Sequence, residues 1–240
     1  MAEHTEHTEK NRQYFDNLAK SYKDSFKPVL DGICRNVTAR RTWISDTWTD
    51  TEAGQGKEIK VLDYACGTGV VSLTLAPFVS KIVGMDVADN MINQFNQNAH
   101  DAGFGDKMSA IKGDLLSETL SDELSGPEYS DFDIVVVSAA LHHFEKPELA
   151  MSRFCQRLKK GGVCLIIDIV PDHHRMAHDF GEAEHTVTNH GFTEEQMRQL
   201  HEGAGLNEDF RYQSMNEQFV YQKDGKQRTL TFFLSRGQRA

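Results

Sequence analysis

The chain has 240 residues, enough to bury a sizeable core as one domain, and carries 26 basic against 36 acidic residues for a net charge of −10. That balance disfavours a nucleic-acid backbone as substrate, because the summed electrostatic term is repulsive, and Arg35, Arg40, Arg41, Arg236 and Arg239 read as solvated surface. No apolar run is long enough to span a membrane, the polar start is no secretory signal, and the 4 cysteines show neither metal nor disulfide spacing, which fits a reducing compartment, cytoplasmic by default with the nucleus left open.

The first dozen residues are polar and repetitive, and disorder is expected there. Helical segments are predicted from Tyr14 to Ala39 with a break at Pro28. Thr47 to Lys57 reads as a polar linker, so residues 1–58 are expected to form a tip and helical cap ahead of a main domain over 59–240. Strands and helices then alternate, with strands at Lys60–Tyr64, Lys81–Asp86, Met108–Lys112, Phe132–Ser138 and Gly162–Ile169. The unbroken apolar runs Ile134–Val137 and Cys164–Ile167 mark strands buried on both faces of a parallel sheet. Right-handed crossovers make this a doubly wound α/β architecture.

The most informative segment is Val61-Leu62-Asp63-Tyr64-Ala65-Cys66-Gly67-Thr68-Gly69-Val70-Val71, a buried strand joined to a helix through an acidic turn. Gly67 and Gly69 can take positive φ and admit close approach of a ligand. A pyrophosphate at this helix start would be repelled by Asp63, and Ser72 stands where a dinucleotide fingerprint has its third glycine. The sulfonium and ammonium of S-adenosylmethionine would be attracted instead, so that cofactor is favoured over NAD. Asp86, ending the next strand, can accept both ribose hydroxyls. Asp114, after the third strand, can accept from the adenine amine. Cys66 reads as an inert packed thiol in this loop.

Downstream, His142 and His143 follow the fourth strand, and His143 is the leading candidate for a proton acceptor, weighed against a structural histidine packed beneath Phe144. Pro171 to Asn189 is histidine-rich, and His185 or His190 offers an alternative base in a segment expected to wall the acceptor pocket. His174 and His178 have the i, i+4 spacing of a ligand pair but no companion motif, so a solvated polar helix is the preferred reading and no metal is assigned. Thr193 and Gln196 form a capping-box signal for a helix stopped at Gly203 and Gly205, with Met197 and Leu200 as core residues. Arg211–Tyr221 and Arg228–Leu234 flank an aspartate-glycine turn, the signal of a hairpin.

Taken together these motifs resemble a class I S-adenosylmethionine-dependent methyltransferase of the ubiquinone/menaquinone-biosynthesis-like type, over most of the chain. The resemblance implies a seven-stranded, mostly parallel Rossmann-like sheet with an antiparallel C-terminal hairpin and an N-terminal helical cap. Phe15 to Tyr22 is similar to the helix that closes over the cofactor. Ala65 stands where the family usually has glycine, and alanine leaves room if φ there is negative. The resemblance further implies that Tyr22, Asp63, Ala65, Gly67, Gly69, Asp86, Val87, Met91, Gly113, Asp114, Leu115 and Ser138 hold the cofactor, with Met91 packing on adenine and Ser138 beside the donor methyl.

The expected activity is methyl transfer to a small-molecule oxygen, nitrogen or sulfur nucleophile, by in-line displacement in a closed pocket. Two other readings stay open. One is a protein methyltransferase within a regulatory complex, which an open acidic groove would favour. The other is a cofactor-binding regulatory module without turnover.

Overall fold

The computed structural model describes residues 6–172, 183–223 and 225–240. Seven strands form one sheet in the order β3-β2-β1-β4-β5-β7-β6. They are β1 (Lys60–Tyr64), β2 (Lys81–Asp86), β3 (Met108–Lys112), β4 (Phe132–Ser138), β5 (Leu158–Ile169), β6 (Glu208–Lys223) and β7 (Lys226–Gln238). The first five are parallel, and β7 runs antiparallel to both β5 and β6. The doubly wound sheet with its antiparallel closing hairpin is therefore the expected architecture. Gly225, at φ 71°, turns the chain between Lys223 and its partner Lys226.

Alternation along the central strands builds a core on each face. Val61, Ile134, Val136 and Leu165 enter one cluster, whereas Leu62, Val135, Val137 and Ile166 enter the other. All eight are buried, each worth about 1.5–3 kcal/mol relative to exposure. This two-sided burial is why β4 and β5 read as unbroken apolar runs. β5 starts earlier than expected, at Leu158, and is bulged against β4 between Phe132 and Ile134.

The N-terminus differs from the sequence expectation. Helix α1 spans Glu6–Ser25, so the second half of the segment expected to be disordered is helical. Its polar residues pair with one another: Lys10 with Glu6 at 2.7 Å, and Arg12 with Glu9 at 2.6 Å and Asp16 at 2.9 Å. Helical spacing of opposite charges supports the first two turns, which lack apolar residues. The break falls at Phe26, and Pro28 lies in the first turn of α2 (Lys27–Ala39). Proline fits there because its missing N–H has no intrahelical partner in that turn. A short helix, α3 (Arg41–Ile44), follows.

Crossover helices α4 (Val70–Leu75), α5 (Asp89–Asp101) and α6 (Pro147–Arg157) connect the parallel strands, and α7 (Glu194–Gly203) precedes the hairpin. Thr193 Oγ1 accepts from Gln196 N at 3.2 Å while Gln196 Oε1 accepts from Thr193 N at 2.9 Å, completing the expected capping box. Met197 is buried as expected. At the start of α5, Ala88 offers no capping side chain. Asp16 of α1 supplies one instead, its Oδ1 accepting from Asn90 N at 2.8 Å, and Asn90 Nδ2 donates back to the Asp16 carbonyl at 3.1 Å. Thus α1 is fastened to the main sheet through an orphan helix terminus.

Phe95 of α5 is fully buried between two glycines. A Cβ on Gly69 would come within 2.6 Å of its ring, and one on Gly84 within 2.8 Å. The ring thereby packs helix, β2 and the β1–α4 loop together. Phe95→Ala should cost about 3–5 kcal/mol of stability by urea denaturation, and a loss below about 1 kcal/mol would show that the cavity collapses without consequence.

Candidate active site

A cavity with an empty volume of about 1050 Å³, counting the part open to solvent, lies at the carboxyl ends of the parallel strands. The strand order reverses between β1 and β4, which is where ligands bind in open α/β sheets. The cavity wall takes Tyr64, Ala65 and Gly67 from the end of β1, Asp86 and Val87 from β2, Gly113 and Asp114 from β3, and Ser138, Ala139 and Ala140 from β4. Met91 of α5 lies against it, and α1 contributes Tyr22 among others.

Gly67 has φ 51°, and a Cβ built on it would meet nothing within 4 Å. Its open face belongs to the cavity. The Gly67 N–H donates to Asp86 Oδ2 at 2.9 Å, and Ala88 N–H donates to Oδ1 at 2.9 Å. These bonds fix the carboxylate while each oxygen keeps a further lone pair. Burial raises the Asp86 pKa, and the N–H groups of Ala88 and Gly67 oppose that rise. Asp114 Oδ1 accepts from Tyr64 Oη at 3.2 Å and from Leu116 N at 2.8 Å. Burial pushes the Tyr64 phenol well up, so it remains a neutral donor.

Other expected residues are placed differently. Gly69, at φ 81°, starts α4 and packs on Phe95, away from this cavity. Leu115 is buried in the core, and its neighbour Leu116 lines the cavity. Asp63 lies under the loop in a smaller space beside it, which Tyr22, Ala65 and Gly67 also line. Its Oδ2 accepts from Ser72 Oγ at 2.6 Å. Serine at the position of the missing fingerprint glycine thus satisfies the buried acid. Cys66 is buried, and desolvation pushes its thiol well above the usual range, as an inert packed thiol requires.

Ala65 has φ 53°, not the negative value expected for alanine at a glycine position. Ala139 at the end of β4 has φ 52°. Such left-handed geometry costs an alanine about 1–2 kcal/mol, and strain of this kind concentrates at ligand sites. The Ala139 N–H donates to the Ile167 carbonyl at 2.7 Å, which holds the turn.

His143 ends a 3-10 turn, Leu141–His143, and lines the cavity. Its Nδ1 lies 2.8 Å from the Thr186 carbonyl, and its ring meets Phe15 edge-on at 5.2 Å. His7 Nε2 and Asn11 Nδ2 bond to the His143 carbonyl at 2.9 and 3.4 Å. His185 and His190 are exposed, although His185 packs edge-on against Tyr14 at 5.6 Å. His174 and His178 lie outside the described residues. Sequence reasoning missed His7, Asn11 and Ala139. The α1 residues were legible in principle, because His7, Asn11, Phe15 and Tyr22 fall on one helical face.

Burial pushes the Asp63 carboxyl up to about 7, against the lowering influence of the Ser72 hydroxyl. The folded chain therefore holds a proton that the unfolded chain releases near 3.8. Its contribution to stability is complete below the unfolded value and is lost as pH rises through the folded one. Asp63→Asn should flatten the fall in urea midpoint between about pH 4 and 7, and an unchanged slope would show that Asp63 titrates normally.

Residues 55–227 match a family described as a methyltransferase domain. An uncharacterised methyltransferase of Schizosaccharomyces pombe is 31% identical over 157 residues, covering 62% of this chain and 53% of the relative. A demethylmenaquinone methyltransferase of Leptospira interrogans is 28% identical over 162 residues, covering 66% and 59% respectively. The chain spans about half the length of these curated relatives. The fold matches that of magnesium protoporphyrin IX methyltransferase from Synechocystis PCC 6803 with S-adenosylmethionine bound, with a TM-score of 0.63 at 15% identity over 100% of both chains. With residues 55–227, most of its length, matched by the family, the chain belongs to the methyltransferase domain family.

Proposed function

We propose that this chain binds S-adenosylmethionine in the cavity above β1 and β4 and transfers its methyl group to a small-molecule acceptor. The observation that carries this reading is the Gly67–Asp86 hydrogen bond. It draws an open glycine face and a fixed carboxylate into one ledge, suited to a ligand with paired hydroxyls. The acidic side chains Asp86, Asp114, Glu118 and Glu145 on its wall make the surroundings favourable to a cation, and the described wall of the cavity carries one lysine, Lys146, and no arginine. A pyrophosphate would find little to pair with there. These residues fit S-adenosylmethionine better than a dinucleotide.

When bound, the cofactor supplies a methyl group already activated by its sulfonium. The protein's work is placement. Asp86 is assigned to the ribose hydroxyls, Asp114 to the adenine amine, and Val87 and Met91 to the faces of the base. Helix α1 covers the site through Tyr22 and Phe15 and through the bonds of His7 and Asn11 to the His143 carbonyl, which excludes water and strengthens electrostatic contacts inside. An enclosure of this kind suits a small acceptor better than an extended peptide. Cys34, Cys66, Cys155 and Cys164 are all free thiols, which supports a reducing compartment such as the cytoplasm. No helix among the described residues is long and apolar enough to cross a membrane.

Asp86→Ala should weaken S-adenosylmethionine binding at least about tenfold, the equivalent of roughly 1.4 kcal/mol, in a calorimetric titration. Unchanged affinity would remove Asp86 from its assigned role. His143→Ala, by contrast, should lower turnover of an identified acceptor more than cofactor affinity because it opens the wall beside Phe15, and His143→Phe, which refills the wall, should restore it; turnover that stays low in His143→Phe would assign the proton transfer to His143.

A further inference from the structure

A second cavity, with an empty volume of about 650 Å³, abuts the first. Phe15, Tyr22, Ala139 and His143 line both. Where the first is lined by carboxylates, the described wall of the second has no Asp, Glu, Lys or Arg. It is built from aromatic and aliphatic side chains of α1, α2, β5 and β7, and its titratable side chains are Tyr14, Tyr22, His142 and His143.

His142 is held differently from its neighbour. Asp168, with no exposed surface at all, lies 2.8 Å from His142 Nδ1 through Oδ1 and accepts the His142 backbone N–H through Oδ2 at 3.2 Å. It also accepts its neighbour Ile169 N–H at 2.7 Å, so the carboxylate is fixed from three sides. A carboxylate at Nδ1 selects the tautomer that donates there, which puts the basic lone pair on Nε2 and stabilises the ring once it is protonated. His143 Nδ1 instead faces the neutral carbonyl of Thr186 at 2.8 Å. The two rings, 4.1 Å apart and tilted by 39°, therefore contain one built proton acceptor and one wall residue. Among the described residues, the titratable groups facing His142 include Asp168 from β5, His143 beside it, and Tyr14 and Tyr22 of α1 across the shared cavity.

We infer that the second cavity seats the methyl acceptor, that the acceptor is an uncharged flat apolar ring bearing a weakly acidic phenolic or enolic hydroxyl, and that His142, positioned by Asp168, takes the hydroxyl proton. This inference rests on the methyl-transfer reading above. A cationic amine or an anionic acceptor would enter a chamber whose described wall has no counter-charge, at the cost of desolvation. A neutral hydroxyl on an aromatic ring loses little on entry and packs on Phe15, Phe26 and Phe232. In the step, the oxygen–methyl bond forms as the methyl–sulfur bond breaks with its electron pair passing to sulfur. The hydroxyl proton goes to Nε2 of His142, so the thioether and the methyl ether leave neutral and the positive charge rests on the imidazolium beside Asp168.

The test uses the full chain saturated with S-adenosylhomocysteine and 4-nitrophenol as probe, because its phenolate is coloured and its neutral form is not. At a pH below the phenol's own pKa, the wild-type protein should bind the probe and develop phenolate absorbance. His142→Phe and Asp168→Asn should keep affinity for S-adenosylhomocysteine and for the probe but lose that absorbance, whereas His143→Phe should retain it. Leu230→Trp, which fills the chamber, should abolish probe binding and leave S-adenosylhomocysteine affinity intact. Absorbance that survives in both His142→Phe and Asp168→Asn, or probe binding indifferent to Leu230→Trp, overturns the inference. So does normal binding of S-adenosylhomocysteine with no binding of 4-nitrophenol or of the larger 2-naphthol, an outcome that leaves methyl transfer standing. Failure of S-adenosylhomocysteine itself to bind overturns the methyl-transfer reading and this inference with it.

Discussion

Between β1 and β4 the crossovers part toward opposite ends of the sheet, and the chemistry of this molecule is assembled where those two strands stop. Each strand leads into an alanine held at positive φ, Ala65 and Ala139. The strain is small beside the burial that offsets it, since both strands are packed on each face. What it achieves is a sharp exit of both chains from the sheet, leaving space between them. Gly67 and Asp86 then close one side of that space through a single hydrogen bond.

The second dependence is on α1. A helix with so few apolar residues gains little from burial, and its anchoring is polar: Asp16 caps α5, and His7 and Asn11 hold the carbonyl of His143. Charge pairs along its exposed side contribute a few tenths of a kcal/mol each. Such a helix is a cover whose attachment is set by hydrogen bonds that water can replace, as a site that must admit and release ligands requires. Tyr22 shows the same economy, lining both main cavities and the space under the loop. Burial pushes its phenol up to about 12, so it stays uncharged where three spaces meet.

The sheet was readable in the sequence because its signal is dense. Ile134–Val137 and Cys164–Ile167 can hardly lie anywhere but between two layers, and the capping box at Thr193 is a local interaction that needs no tertiary context. The carboxylates at Asp86 and Asp114 were readable for the same reason, as acids ending apolar strands. Asp168 was not, since one acid inside a run of buried aliphatics gives no sign of its partner 26 residues away. The first two turns of α1 were missed because their stability comes from ion pairs, whereas low hydrophobicity by itself reads as disorder. Ala65 shows a different limit: the residue type argued for negative φ, and the tertiary need for a tight exit from β1 prevailed.

The central claim is that the ledge of Gly67 and Asp86 holds a ribose and that the acidic cavity wall around it, poor in cations, selects a sulfonium-bearing nucleoside over a dinucleotide. Side-by-side calorimetric titration with S-adenosylmethionine, S-adenosylhomocysteine and NAD tests it most directly. Saturable binding of the first two with none of NAD is the result the account predicts, and binding of NAD alone would contradict it.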